Sequence, residues 1–88
     1  MDDAELIRSE IEPDPWHSGA GNARLHVSGV PVWAIASYYY RAAHRDTAMV
    51  ARDYDVAARA VQAALAYYRW YREAIDYRLA ENEYVGPG

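Results

Sequence analysis

The stretch from Val32 to Val85 contains neither glycine nor proline, so its composition forces no helix to break. Residues 1–31, in contrast, hold three of the four prolines and three of the five glycines. This contrast predicts a mainly α-helical chain that opens with a short pair of β-strands. The expected strands lie at Leu6-Ile7 with Ile11 and at residues 23–27, and the expected helices at residues 31–43, 47–53 and 57 to about 83.

Residues 47–64 have the spacing of a helix-turn-helix, in which two short helices cross steeply. Ala51 stands at the fifth position, where the two backbones come closest, and Val50 and Tyr54 share one face of the first helix. The turn is expected at residues 53–55, where an aspartate can cap the second helix or adopt a left-handed conformation. A purely structural helical corner is the alternative, because any compact pair of helices needs apolar residues at such positions.

A length of 88 residues predicts one domain. We divide it into a strand and turn arm (residues 1–31), a helix-turn-helix core (residues 32–69) and a C-terminal helix end with a tail (residues 70–88). A domain this small buries only about 60–65% of its unfolded surface, so a homodimer is expected to supplement its core.

The net charge of −4 is unevenly distributed along the chain. Residues 1–14 carry a net charge of −5, residues 15–72 a net charge of +4 and residues 73–88 a net charge of −3. A basic middle that coincides with the helix-turn-helix is typical of a phosphate-facing surface, with the acidic ends kept away from it. A solvated surface of mixed charge is the alternative.

If the motif binds DNA, the outward positions of its second helix would be Ala57, Ala58, Arg59, Gln62 and Ala63. Arg59 could read guanine and Gln62 adenine, each through paired hydrogen bonds. Four further arginines would contact phosphates: Arg41, Arg45, Arg52 and Arg69. For each arginine the alternative is a solvated side chain or an ion pair with Asp46, Asp53 or Asp55.

The last predicted helix carries two apolar faces. One is a stripe suited to pack on the first helix, formed by Val61, Leu65, Tyr68, Ile75 and Leu79. The neighbouring face is mainly aromatic and consists of Tyr67, Trp70, Tyr71, Ala74, Tyr77 and Tyr84. One small core cannot cover both faces, and aromatic side chains are enriched at protein interfaces. We therefore expect a toxin or dimer interface at Trp70, Tyr71, Tyr77, Glu81 and Tyr84, unless the N-terminal strands cover this face.

Neither catalysis nor a cofactor nor a metal is expected. Cysteine is absent, which excludes disulfides and cysteine zinc sites. The three histidines lack metal-ligand spacing, and no serine lies in the glycine elbow of a hydrolase. No apolar run approaches the roughly 20 residues of a membrane span, and the acidic N-terminus is unlike a signal peptide, so a cytoplasmic protein is expected.

The order of these features resembles the small antitoxin family catalogued as domain of unknown function 433, which is related to VapB-type antitoxins. The resemblance runs from about residue 11 to residue 83. The segments that show the resemblance are Asp14-Pro15, Gly19 to Gly21, Ala23-Arg24-Leu25, Val30-Pro31-Val32-Trp33, the VARDYDV run at 50–56, VQAALAYY at 61–68, Glu73 to Asp76 and Leu79 to Glu83. Where the family has Gly-Thr-Arg before Ile-Pro-Val, this chain has Val27-Ser28-Gly29 before Val30-Pro31-Val32.

The resemblance implies a three-helix, homeodomain-like helix-turn-helix domain with an extended C-terminal helix. It implies a bifunctional antitoxin of a type II toxin-antitoxin pair, which binds operator DNA and neutralises a toxin similar to a PIN-domain ribonuclease. Residues 70–84 are the expected toxin contact, although the same aromatics could form the seam of a homodimer. The missing arginine and the alanine-rich second helix favour another hypothesis, a protein-interaction module that has the helix-turn-helix shape but does not bind DNA.

Overall fold

The computed structural model describes residues 2–85, with side chains from Asp2 to Glu81. It is mainly helical, with a two-stranded antiparallel sheet near the N-terminus. In chain order the elements are α1 (Asp3–Glu10), β1 (Ile11–Glu12), a 3₁₀ turn (Ala20–Asn22), β2 (Arg24–Leu25), α2 (Val32–Arg41), α3 (Thr47–Tyr54), α4 (Ala58–Trp70) and α5 (Arg72–Val85). Within this part of the chain no helix has both the length and the apolarity needed to cross a membrane.

Helix α1 stands where the sequence predicts a strand at Leu6-Ile7. Asp2 caps the helix, since its Oδ1 accepts a hydrogen bond of 2.8 Å from the backbone N–H of Glu5. The carboxylates of Asp3 and Glu5 lie in the first turn, where the helix dipole stabilises negative charge. The predicted strand was wrong here because this local capping outweighs the strand preference of one β-branched residue.

The sheet joins the end of α1 to the second predicted strand. β1 and β2 pair antiparallel, with Ile11 opposite Leu25 and Glu12 opposite Arg24. Leu25 is almost completely buried in the core. Each strand is only two residues long, so the strand predicted at residues 23–27 is confirmed in its centre but not in its length.

Glu12 connects the two strands through its side chain. Its Oε2 accepts a hydrogen bond of 2.6 Å from Nε of Arg24, and its Oε1 lies 2.5 Å from Nδ1 of His26. The hydrogen bond with His26 and then that with Arg24 hold the pKa of Glu12 below its ordinary value of 4.5.

We expect the Glu12→Gln variant to have a lower Tm than the parent protein at neutral pH and the same Tm in strong acid. A carboxylate whose pKa is lowered by folding stabilises the fold above its ordinary pKa, and this contribution is lost as the pH falls through the folded pKa. Thermal unfolding of both proteins across the acid range checks the expectation. A Tm difference that persists in strong acid, below the lowered folded pKa of Glu12, would contradict it, and the exposed Glu73 offers the matched Glu→Gln control.

Helix α3 and the turn after it follow the sequence prediction. Asp46 caps α3, because its Oδ1 accepts hydrogen bonds of 3.0 and 3.2 Å from two backbone N–H groups of the first turn. Asp55 ends the helix in the left-handed conformation, with a φ of 55°. Aspartate tolerates this conformation better than most residues, and the chain has no glycine here. The helix predicted at residues 47–53 is therefore confirmed, and the turn predicted at residues 53–55 is found two positions later, at residues 55–57.

The long final helix expected from residue 57 to about 83 is divided at Tyr71. α4 ends at Trp70, Tyr71 departs from helical geometry with φ −123° and ψ 41°, and α5 begins at Arg72. No glycine or proline marks the break. Packing accounts for it instead, because α5 turns against α2 and the 3₁₀ turn and buries Ile75 completely. The prediction of one continuous helix was wrong at this point.

The core lies among the last four helices and the second strand. The apolar stripe predicted for the final helix is confirmed: Val61 and Ile75 are fully buried, Leu65 and Tyr68 are nearly so, and Leu79 packs against them. The largest fully buried side chains are Leu25, Ile35, Ile75, Val32, Val50 and Val61.

Candidate functional site

The outer face of α4, which the sequence predicts to read DNA, is exposed at its N-terminal end. Ala57, Ala58, Arg59 and Gln62 are all exposed there, as expected. Ala63 is fully buried, so its assignment to the outward face was wrong. Ala63 lies one turn after Arg59 on the side of α4 along which α1 packs, and this packing accounts for its burial.

Helix α1 lies antiparallel along α4 and brings carboxylates to the arginines of that helix. At one end, Oε2 of Glu10 is 3.2 Å from Nε of Arg59. At the other end, Oδ2 of Asp3 is 3.4 Å from Nη2 of Arg69. Ile7 of α1 packs against the core and holds the helix in this position. The expectation that the acidic N-terminal segment stays away from the basic middle of the chain was therefore wrong.

Arg52 belongs to a small polar network at the end of α3. Its Nε is 3.1 Å from Oδ1 of Asp53, whose Oδ2 accepts a hydrogen bond from the hydroxyl of Tyr38. This hydroxyl and then Arg52 hold the pKa of Asp53 below its ordinary range, and the same hydrogen bond raises the pKa of Tyr38. The structure thus has Arg52 in the ion pair that the sequence left open as the alternative to a phosphate contact.

Arg41 and Arg45 lie elsewhere, beside the end of α2. Both line a cavity that Arg72 also lines. Arg59 and Arg69, in contrast, are separated by about 15 Å along the axis of α4. The six predicted DNA-binding residues therefore do not form one cluster: Arg41 and Arg45 lie together at the cavity, Arg59 and Gln62 lie together at the start of α4, and Arg52 and Arg69 lie apart.

Three predicted interface aromatics are exposed around the junction of α4 and α5. Trp70 is 52% exposed, Tyr71 41% and Tyr77 70%, and we call these three residues the aromatic surface. Glu81, one helical turn after Tyr77, is exposed as well. The side chain of Tyr84 lies outside the described residues. The N-terminal segment leaves Trp70, Tyr71 and Tyr77 exposed, so the alternative was wrong for these three residues.

Tyr67, which the sequence assigns to the same face, belongs to the core. It is buried, and its hydroxyl donates a hydrogen bond of 2.8 Å to the carbonyl oxygen of Ala20 in the 3₁₀ turn. Burial raises the pKa of Tyr67 above its ordinary value of 10.0. The N-terminal segment therefore covers this one member of the predicted aromatic face and leaves the aromatic surface open.

Sequence reasoning missed the contribution of α1 to this site, although a signal for the helix was present. Asp2 is followed three positions later by Glu5, which is the spacing of a helix N-terminal cap. A helix that starts there places Asp3 and Glu10, seven positions apart, on one face. These are the two carboxylates that contact Arg59 and Arg69.

Comparison of the chain with known protein families, with curated proteins and with solved structures gives no match. Among the side chains that the structure describes, no three histidines, aspartates or glutamates lie close enough together to hold a metal ion. Inference about function therefore starts from the outer face of α4 and the aromatic surface.

Proposed function

We propose that this protein is the antitoxin of a type II toxin-antitoxin pair and that it neutralises a PIN-like ribonuclease by protein contact. The single observation that carries the proposal is the aromatic surface, in which three large side chains remain exposed in a chain of only 88 residues. The sequence resemblance described above supplies the class of partner.

The aromatic surface has the composition of a binding hot spot. Tryptophan and tyrosine are the residues most often found to carry binding energy, because each buries a large apolar area and retains a polar tip. Isolated exposed apolar residues are ordinary, but two adjoining ones that line one groove at a helix junction, as Trp70 and Tyr71 do, favour an interaction site. The groove at this junction is lined by Arg69, Trp70, Tyr71, Arg72, Glu73 and Ala74.

The charges around Tyr77 suit a cationic partner, whereas Arg69 and Arg72 line the groove beside Trp70 and Tyr71. Glu73 and Glu81 lie one turn before and one turn after Tyr77 on α5, so the three side chains share a face. A ribonuclease needs cationic groups to hold RNA, and carboxylates placed around an aromatic anchor complement such a surface. Binding there would block the access of RNA to the enzyme.

A matched pair of tryptophan variants tests the proposal. We expect a neighbouring reading frame to encode a small ribonuclease, and we expect Trp70→Ala to weaken binding to that purified enzyme by at least about tenfold, as removal of a hot-spot anchor typically does. Trp16→Ala is the control, because Trp16 is 81% exposed and lies outside the aromatic surface. Calorimetric titration and ribonuclease inhibition measure both. Unchanged binding by a folded Trp70→Ala variant contradicts the proposal.

The same variant separates toxin contact from self-association. If the aromatic surface is the seam of a homodimer, Trp70→Ala will shift the protein from dimer to monomer in sedimentation experiments without any ribonuclease present. If the surface binds the toxin, the oligomeric state will stay the same and only the complex will be lost.

Operator binding by the α3–α4 unit, in a homeodomain-like arrangement, is a second candidate function. Arg59 and Gln62 favour it, because both are exposed at the start of the helix that follows the turn at Asp55. Glu10 competes with DNA for Arg59, so binding requires that the ion pair between them open.

We expect Arg59→Ala to weaken binding to the promoter DNA of its own operon by about tenfold and to relax the sequence preference. Gel-shift titration at one fixed salt concentration measures the effect. Arg8→Ala, which removes an exposed charge from α1, is the control. If Arg59→Ala keeps the parent's DNA affinity and sequence preference, α4 does not recognise DNA. That result would favour the protein-interaction module without DNA binding.

A further inference from the structure

A polar cavity lies between the end of α2 and the start of α5, and of its lining residues only Arg72 also lines the groove beside Trp70. Its volume is about 220 Å³, and its polar lining comprises Ser37, Tyr40, Arg41, Arg45, Tyr68, Arg72 and Asp76. Since a water molecule occupies about 30 Å³ in the liquid, the cavity has room for a small polyatomic ion and part of a larger ligand.

Among the side chains that the structure describes, three guanidinium groups and one carboxylate line the cavity. That carboxylate, Asp76, already accepts a hydrogen bond of 2.7 Å from the hydroxyl of Tyr68. Its other oxygen is 3.9 Å from Nε of Arg72, which is a loose contact between two exposed side chains. Even with Arg41 left out of the count, the described lining therefore holds two guanidinium groups, Arg45 and Arg72, against the one carboxylate of Asp76.

The stabilisation of helix C-termini by cations explains only some of the arginines in this lining. Arg41 ends α2 and Arg45 follows it, and cations are favourable at a helix C-terminus. Arg72 is the first residue of α5, where the helix dipole disfavours a cation. Its position beside two other arginines has no such structural benefit.

Aromatic rings and the local backbone hold these arginines in place. The guanidinium carbon of Arg45 is 5.5 Å from the ring centre of Tyr40, and that of Arg72 is 5.7 Å from the ring centre of Tyr68. Arg45 has a left-handed backbone with φ of 58°, as does His44 before it with φ of 53°. Two consecutive non-glycine residues in this conformation are strained, and such strain is often kept at binding sites.

We propose that this cavity binds a phosphate group, either free phosphate or the terminal group of a small phosphorylated metabolite. Arginine matches phosphate oxygens with paired N–H donors, and the hydroxyls of Ser37 and Tyr40 in the lining add two further donors. Apart from Arg72, the site shares no lining residue with the groove beside Trp70, and it does not include Arg59. Its failure would therefore leave the proposed function untouched, and the reverse also holds.

Amide chemical shifts of the full chain, followed during titration with inorganic phosphate at constant ionic strength, test the proposal. We expect saturable shifts at residues 37–45 and 72–76 in the millimolar range. Adenosine monophosphate is the second probe: equal affinity assigns the site to the phosphate group alone, and tighter binding assigns it to a phosphorylated metabolite. Shifts that do not saturate, or that spread evenly over all exposed arginines, overturn the proposal.

Variants that are expected to change the phosphate affinity in opposite directions make the test specific. Arg72→Gln and, independently, Arg45→Gln should weaken phosphate binding by about tenfold, the usual effect of losing one charge-assisted hydrogen bond. Asp76→Asn should strengthen phosphate binding severalfold, because it removes the one carboxylate that lines the cavity among the described residues. Arg8→Gln removes one charge from α1 and should leave phosphate binding unchanged. Equal binding by the parent protein and both arginine variants would show that the cavity is not the site.

Discussion

Replacement of Ile75 by alanine is expected to lower the free energy of unfolding by about 2–5 kcal/mol, the usual cost of removing a buried branched side chain and leaving a cavity. Ile75 has no exposed surface and is among the largest fully buried residues. It is also the buried residue of α5 that lies closest to the break at Tyr71, and its N–H donates a 3.1 Å hydrogen bond to the carbonyl oxygen of that residue. Its loss therefore weakens both the core and the attachment of α5.

Urea denaturation followed by circular dichroism measures this effect. Tyr77→Ala is the matched control, because Tyr77 lies on the same helix and is 70% exposed. Removal of an exposed side chain there should change the stability by no more than about 0.5 kcal/mol. A loss of less than about 1 kcal/mol in Ile75→Ala would show that α5 is not packed as described.

Replacement of Gly21 by alanine is expected to cost about 3 kcal/mol, at the upper end of the usual range for overpacking. A Cβ atom at this position would lie 2.5 Å from the carbonyl oxygen of Ala74 and 3.2 Å from its carbonyl carbon. These are backbone atoms of α5, so no side-chain rotation can relieve the clash. The 3₁₀ turn and α5 must separate, and the hydrogen bond of 2.9 Å between Arg78 Nε and Asn22 Oδ1 would be strained as they do.

Gly29→Ala separates this clash from the general effect of replacing a glycine. Gly29 has a φ of +77°, and no atom lies within 4 Å of the position that a Cβ would occupy, so alanine there meets conformational strain alone. We expect that variant to lose about 1–2 kcal/mol, the penalty for a left-handed alanine. Thermal and urea unfolding of both variants provide the comparison. Equal losses would contradict a close approach between the 3₁₀ turn and α5.

Where local signals decide the structure, the sequence was sufficient. The capping aspartate at 46 and the left-handed aspartate at 55 act within a few residues of themselves, so α3 and its turn were predictable. Helix α1 rests on an equally local signal, the cap at Asp2, which the strand prediction did not take into account. The break at Tyr71 carries no such signal, because it arises from how α5 packs on elements distant in sequence.

The candidate site, like the fold, was predictable from the sequence only in part. The exposure of Trp70, Tyr71 and Tyr77 was predictable because the last predicted helix has two apolar faces, and one small core cannot cover both faces. The partners of the arginines did not follow from the sequence. Arg59 and Arg69 contact carboxylates that lie far away along the chain, in α1, and only the tertiary fold brings those groups together.

The two ion pairs between α1 and α4 affect how the proposed binding to DNA would depend on ionic strength. A basic protein loses DNA affinity steeply with added salt because each phosphate contact releases counterions. Here Asp3 and Glu10 neutralise Arg69 and Arg59 beforehand. Added salt loosens these internal pairs while it weakens attraction to DNA, and the two effects oppose each other. Operator affinity would therefore fall less steeply with salt than the number of arginines alone implies.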